Sequence, residues 1–201
     1  MRTISLIFLS IITFLSSNAQ EFEKQIATAR SAFEAGNYEE SRFAVQNALH
    51  EIDIQIGKEV LAVLPEKVNN MSYIKTSDQV TGSGASVGLY VERVWGNLSA
   101  ENLNFSVISD SPLLKMVNTF LSLPMIMSSA DSNQKKIKVE GYKAMLERNI
   151  NEESGDVTGY SVMIPYSNSL LQLNYTGKIS EEDFLAMIKQ IPVAKVTEIA
   201  R

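Results

Sequence analysis

Apolar and polar positions along this chain change period several times, and each change marks a new element. Between Glu21 and Leu64 the apolar residues recur every three or four positions, as Phe22, Ile26, Ala29 and Phe33, then Phe43, Val45, Ala48, Leu49, Ile52 and Ile56. Such spacing lines one stripe of a helix, so two helices are predicted, broken at Gly36-Asn37 and stopped by Pro65. Gly57 is expected to bend or interrupt the second. Further on, Val87, Leu89 and Val91 alternate with Tyr90, Glu92 and Val94, while Leu103, Phe105 and Val107 alternate with Asn104 and Ser106. Alternation places successive side chains on opposite faces of a strand, and the short link from Gly96 to Asn102 makes the two an antiparallel hairpin. Met71 to Ile74 reads as a short edge strand, and Thr81 to Ser86 as a loop.

A helix is expected next, with Ser111 as its N-cap and Pro112 at its first position. Its residues are mostly apolar up to Pro124, which ends or kinks it before Met125-Ile126-Met127. It reads as a helix buried against a sheet, its Met-rich end offering an adaptable surface. From Lys136 to Gly177 the pattern is strand-rich. Ile137 and Val139 begin it, Glu140-Gly141 turns, and Tyr142 to Asn149 follows. Tyr160, Val162 and Ile164 then lead through Pro165-Tyr166-Ser167-Asn168 into Leu171, Leu173 and Tyr175. Ser180 with Asp183 marks a capped helix whose buried face is Phe184, Leu185, Ile188 and Ile191. The fold class is therefore α+β, a mostly antiparallel sheet flanked by helices and preceded by a helical hairpin.

The N-terminus reads as export machinery rather than fold. Arg2 precedes an apolar run from Ile4 to Leu15, and Ser17-Asn18-Ala19 supplies small residues before a cleavage point between Ala19 and Gln20. The run is shorter than the ~20 residues that a membrane span needs, so no span is expected after cleavage. The organisation is then a signal peptide at 1–19, a helical hairpin at 20–66 and an α/β sandwich domain at 67–201. Cysteine is absent, which removes disulfides, thiol chemistry, cysteine-based zinc sites and lipid attachment. An exported chain without cysteine points to a bacterial periplasmic or secreted protein. Without Arg2, 17 Lys and Arg side chains face 23 Asp and Glu, so the charge moves from −5 to −6. That balance repels phosphate backbones and argues against a nucleic-acid partner.

Candidate chemistry is sparse. His50, the single histidine, lies mid-helix with no nucleophile or second ligand at helical spacing, so neither a catalytic nor a metal site is read. The glycines at 82, 84 and 88 lack the following Lys-Ser/Thr and the helix of a phosphate loop. No cofactor is implied. Four residues stand out as possible contacts: Trp95 at a strand end, Tyr166 at a hairpin tip, and Met125 and Met127 beyond the apolar helix.

Two resemblances add to this reading. Ala32 to Ser41, followed by Ala48, resembles the turn and second helix of a tetratricopeptide repeat, with Ser41 where that family has Ala and only one unit present. A lone unit implies a hairpin packed on the next domain. The part from about Ser72 onward resembles the PsbP-type α/β sandwich. It is similar above all to small bacterial exported proteins with a Ser-Pro-Leu-Leu helix and a Gly-Tyr-Lys-Ala strand, here Ser111 to Leu114 and Gly141 to Ala144. That resemblance implies fold and export and brings no catalytic residue. The expectation is an exported, non-enzymatic module that binds an envelope protein or an apolar small molecule through the helical hairpin or the Met-rich segment near Pro124. The alternative is a hydrolase-like enzyme whose carboxylates and hydroxyls are assembled by folding.

Overall fold

The computed structural model describes residues 4–82, 88–123 and 133–201, with side chains from residue 19 onward. Two helices, α1 (Ile4–Glu34) and α2 (Tyr38–Val63), form the hairpin. A two-stranded ribbon, β1 (Lys67–Val68) and β2 (Met71–Ser72), and a 3₁₀ turn at Lys75–Ser77 lead into β3 (Gln79–Thr81), β4 (Tyr90–Gly96) and β5 (Asn102–Ser109). Helix α3 (Leu114–Ser122) precedes a meander of β6 (Gln134–Val139), β7 (Tyr142–Ile150), β8 (Val157–Tyr166) and β9 (Ser169–Thr176). Helices α4 (Glu181–Ile188) and α5 (Val193–Ile199) end the chain.

Strands β3 to β9 make one sheet in the order β3-β4-β5-β9-β8-β7-β6, every neighbouring pair antiparallel. The pairing of β5 with β9 unites the two meanders. Because each register is fixed, whole rows of side chains cross the sheet on one face. Val91, Val107, Leu171, Ile164, Ala144 and Ile137 form one such row, and Trp95, Leu103, Tyr175 and Tyr160 another. These rows face α4, α5 and the C-terminal half of α2, whose Phe184, Met187, Val196, Val60 and Leu64 complete the main core. The opposite face is polar over much of its area, with Asn104, Ser106, Gln172 and Asn174, and α3 covers its apolar corner at Met145, Met163 and Leu170.

Several local expectations are corrected by this packing. Helix α2 runs unbroken through Gly57. A side chain at that position would collide with Val80 and press on Val91, so the glycine lets α2 sit close to β3 and β4. Ser111 and Pro112 form a turn rather than the first turn of a helix. The Leu114 N–H donates to the Ser111 carbonyl at 3.0 Å, α3 starts at Leu114, and no side chain caps it. Helix α3 also buries less than its composition suggests: Val117 is fully covered, while Leu113, Met116 and Leu123 are exposed. The segment 71–74 contributes only the two-residue β2 and an isolated bridge from Tyr73 to Trp95. Pro165 and Tyr166 belong to β8, and the turn into β9 is Ser167-Asn168 alone, with Ser167 in the left-handed region at φ 46°. Ser180 does cap α4, accepting from the Asp183 N–H at 3.1 Å.

Candidate functional site

The hairpin is built on small residues. Ala29 and Ala32 of α1 meet Ser41, Ala44 and Ala48 of α2, all buried, so the two helices approach closely. Ser41, which departs from the repeat-like pattern, donates its hydroxyl to the Ala29 carbonyl at 2.9 Å, so the polar atom is satisfied within the seam. Gly36 takes a left-handed backbone at φ 75° to make the turn. Asn37 then starts α2, its side chain accepting from the Glu40 N–H at 3.3 Å and donating to the Glu40 carboxylate at 2.7 Å.

With alanines in the seam, the large apolar residues turn elsewhere. On α2, Tyr38, Val45, Leu49 and Ile52 fall within an arc of about 60° and span ~21 Å of helix. They are 63%, 44%, 49% and 42% exposed. Phe33 of α1 packs edge-on against Tyr38, ring centres 5.4 Å apart, and is equally exposed. Phe22 and Ile26 share the Phe33 side of α1 by helical spacing and are half-buried. The hairpin thus carries an apolar face two helices wide. Around its tip lies an acidic, shallow depression of about 520 Å³, lined by Asn37, Glu39, Glu40, Arg42, Phe43 and Gln46.

A second, smaller surface accompanies α3. An open depression of about 580 Å³ is lined by Pro112, Lys115, Met116, Thr119, Phe120, Leu123 and Gln134. Lys136 closes the end of α3 by donating to the carbonyls of Leu121 and Leu123, and its ammonium lies 5.5 Å from the Phe120 ring.

The residues singled out from sequence fare differently. Trp95 is a core residue with no exposed surface, its indole N–H donating to the Pro65 carbonyl at 2.9 Å, so no ring face is open to a ligand. Tyr166 is buried in β8 rather than displayed at a hairpin tip, its hydroxyl buried with it. Met125 and Met127 lie outside the described residues. Sequence periodicity points to the hairpin but not to its binding face, because it places Ala29 and Ala48 in the same stripes as Phe33, Val45 and Leu49 and does not say which of them meet across the helix–helix seam. The alanines at 29, 32, 44 and 48 are the signal for where that seam runs.

For acid–base chemistry, the fold brings two phenol–carboxylate pairs together. Tyr90 donates to Glu92 at 2.9 Å, with Asn104 donating to the other Glu92 oxygen, and Tyr175 donates to Glu101 at 2.6 Å. Tyr175 is 1% exposed, so its ring is closed off and only the Glu101 carboxylate of that pair reaches solvent. Among the described residues no group of three or more His, Cys, Asp or Glu side chains is placed to hold a metal. Burial, reinforced by Glu92, pushes the Tyr90 phenol from 10.0 up to about 12, and burial likewise raises Tyr166 and Tyr175. In the unfolded chain these phenols ionise near pH 10. Above that pH the unfolded state loses protons first, so stability is complete below about pH 10 and falls as pH rises through the folded-state values. Urea midpoints measured on either side of pH 10 should drop on the alkaline side; a flat profile would contradict it.

Fold and surface together define an α+β protein in which a helical hairpin with an uncovered apolar face is tied to a seven-stranded antiparallel sheet. Comparison with protein-family models, with curated proteins and with solved structures returned no match.

Proposed function

We propose that this chain is an exported, non-catalytic binding module of the bacterial envelope or exterior that docks a partner protein on its hairpin face. The observation that carries this reading is the distribution of exposed apolar bulk. Of the ten large apolar side chains most exposed among the described residues, five (Phe33, Tyr38, Val45, Leu49 and Ile52) lie on this one face of the hairpin. Concentrated exposure of this kind marks an interaction surface, whereas single exposed apolar residues are ordinary. A protein suits the face better than a small molecule does, since the face is long and open, and enclosed concave sites are what bury small ligands. Export is supported by Arg2, the apolar run that follows it and the small residues before Gln20. Among the described residues no helix is long and apolar enough to cross a membrane. Kinship with the PsbP-type sandwich is supported by helices on both faces of the sheet, α4 and α5 on one and α3 on the other.

The α3 depression favours a second reading, an apolar small molecule held beside Met116 and Phe120. The two are separated by one experiment on the full chain expressed in a bacterium and recovered from cell fractions. The double variant Val45→Glu, Leu49→Glu should lose co-purifying protein while its stability stays within about 0.5 kcal/mol, because both positions are already exposed. Equal capture by wild type and variant would sink the hairpin reading.

A further inference from the structure

Resting on that reading of the hairpin face, we infer that its occupant is the hairpin of a second copy of this chain, packed antiparallel to form a four-helix bundle. A two-helix layer with one apolar face is half of such a bundle, and burying the face needs a second layer of the same width. The face is also complementary to itself. Tyr38, Val45 and Ile52 are spaced seven residues apart, so a two-fold axis at Val45 sets Tyr38 beside Ile52 of the partner subunit, twice, and Val45 against Val45 of the partner subunit.

The same axis makes a charge match on α1 that the apolar pattern of α2 does not require. The bonds from Ser41 to Ala29 and from Asn47 to Gln25 put Val45 level with residues 26–27 of α1. An antiparallel copy about that level brings Arg30 opposite Glu23 of the partner subunit, and Glu23 opposite Arg30 of the partner subunit. Both residues are exposed, and both flank the Phe22, Ile26 and Phe33 side away from α2. The bundle therefore buries the apolar face and pairs opposite charges along its rim with one symmetry operation.

Absence of cysteine makes the test clean, since a single introduced thiol has no competitor. Under oxidation Val45→Cys should form a disulfide-linked dimer, because a residue on the axis meets its own copy, whereas Phe43→Cys, more solvent-accessible but on another side of α2, should remain largely monomeric. Sedimentation should show a wild-type dimer. Arg30→Glu should weaken it at least several-fold, and adding Glu23→Arg should restore it. A wild type that stays monomeric with no preference for Val45→Cys over Phe43→Cys overturns the inference. If Val45→Glu, Leu49→Glu still abolishes capture of another protein, the docking surface stands and only the second copy fails; if capture is also unchanged, both fail.

Discussion

Replacing Arg93 by alanine is expected to cost about 3–5 kcal/mol of stability, the largest loss from any single polar side chain described. Arg93 is 7% exposed, and each of its three guanidinium nitrogens donates a hydrogen bond. Its Nε and Nη2 grip the Asp78 carboxylate at 2.9 and 2.6 Å, and Nη1 donates to the Leu61 carbonyl at 2.9 Å and to the Leu64 carbonyl at 3.4 Å. The guanidinium also lies 4.4 Å from the Tyr73 ring centre. It therefore satisfies the last carbonyls of α2, meets the negative end of that helix and holds the 3₁₀ turn to β4. Alanine removes the cation and leaves Asp78, its side chain only 17% exposed, and the Leu64 carbonyl without the guanidinium, while the Leu61 carbonyl keeps only the Leu64 N–H at 3.3 Å. Lysine should fall between, keeping charge while losing the two-pronged contact. Urea unfolding of the three proteins decides it, and a loss below about 1 kcal/mol for alanine would show that water replaces the guanidinium easily.

Trp95→Ala should be comparably severe, about 3–5 kcal/mol, through loss of packing around a side chain with no exposed surface. Trp95→Phe isolates the polar part: most apolar contact survives, and the Pro65 carbonyl loses the indole N–H, a difference on the order of 1 kcal/mol. Because it is the only tryptophan, its fluorescence follows unfolding of the wild type directly, while circular dichroism serves the variants. A Trp95→Ala protein as stable as wild type would return this residue to the candidates for ligand contact.

Both residues show where periodicity stops informing. Alternation in β4 identifies a strand and its two faces, but Arg93 lies on the inner face between Val91 and Trp95, where charge alone would place it outward. Its burial is set by residues 15 and more positions away, namely Asp78 and the end of α2. Trp95 at a strand end reads equally as a display site or a core anchor; the fold decides by laying Pro65 and the Tyr73 bridge over it. Helix α3 fails in the other direction. Its apolar composition suggests full burial, yet only a corner of the polar outer sheet face is apolar enough to receive it.

By itself the sequence determined the order of helices and strands, the α+β class, the hairpin turn at Gly36-Asn37 and the capped start of α4, because those depend on near-neighbour spacing and on local backbone preference. The pairing of β5 with β9, the passage of α2 through Gly57 and the burial of Arg93, Trp95 and Tyr166 depend on which distant surfaces meet. The candidate site belongs to that second group. Several apolar positions on α2 compete for one seam in the sequence pattern, and only packing shows that the alanines win it, leaving Tyr38, Val45, Leu49 and Ile52 to face outward.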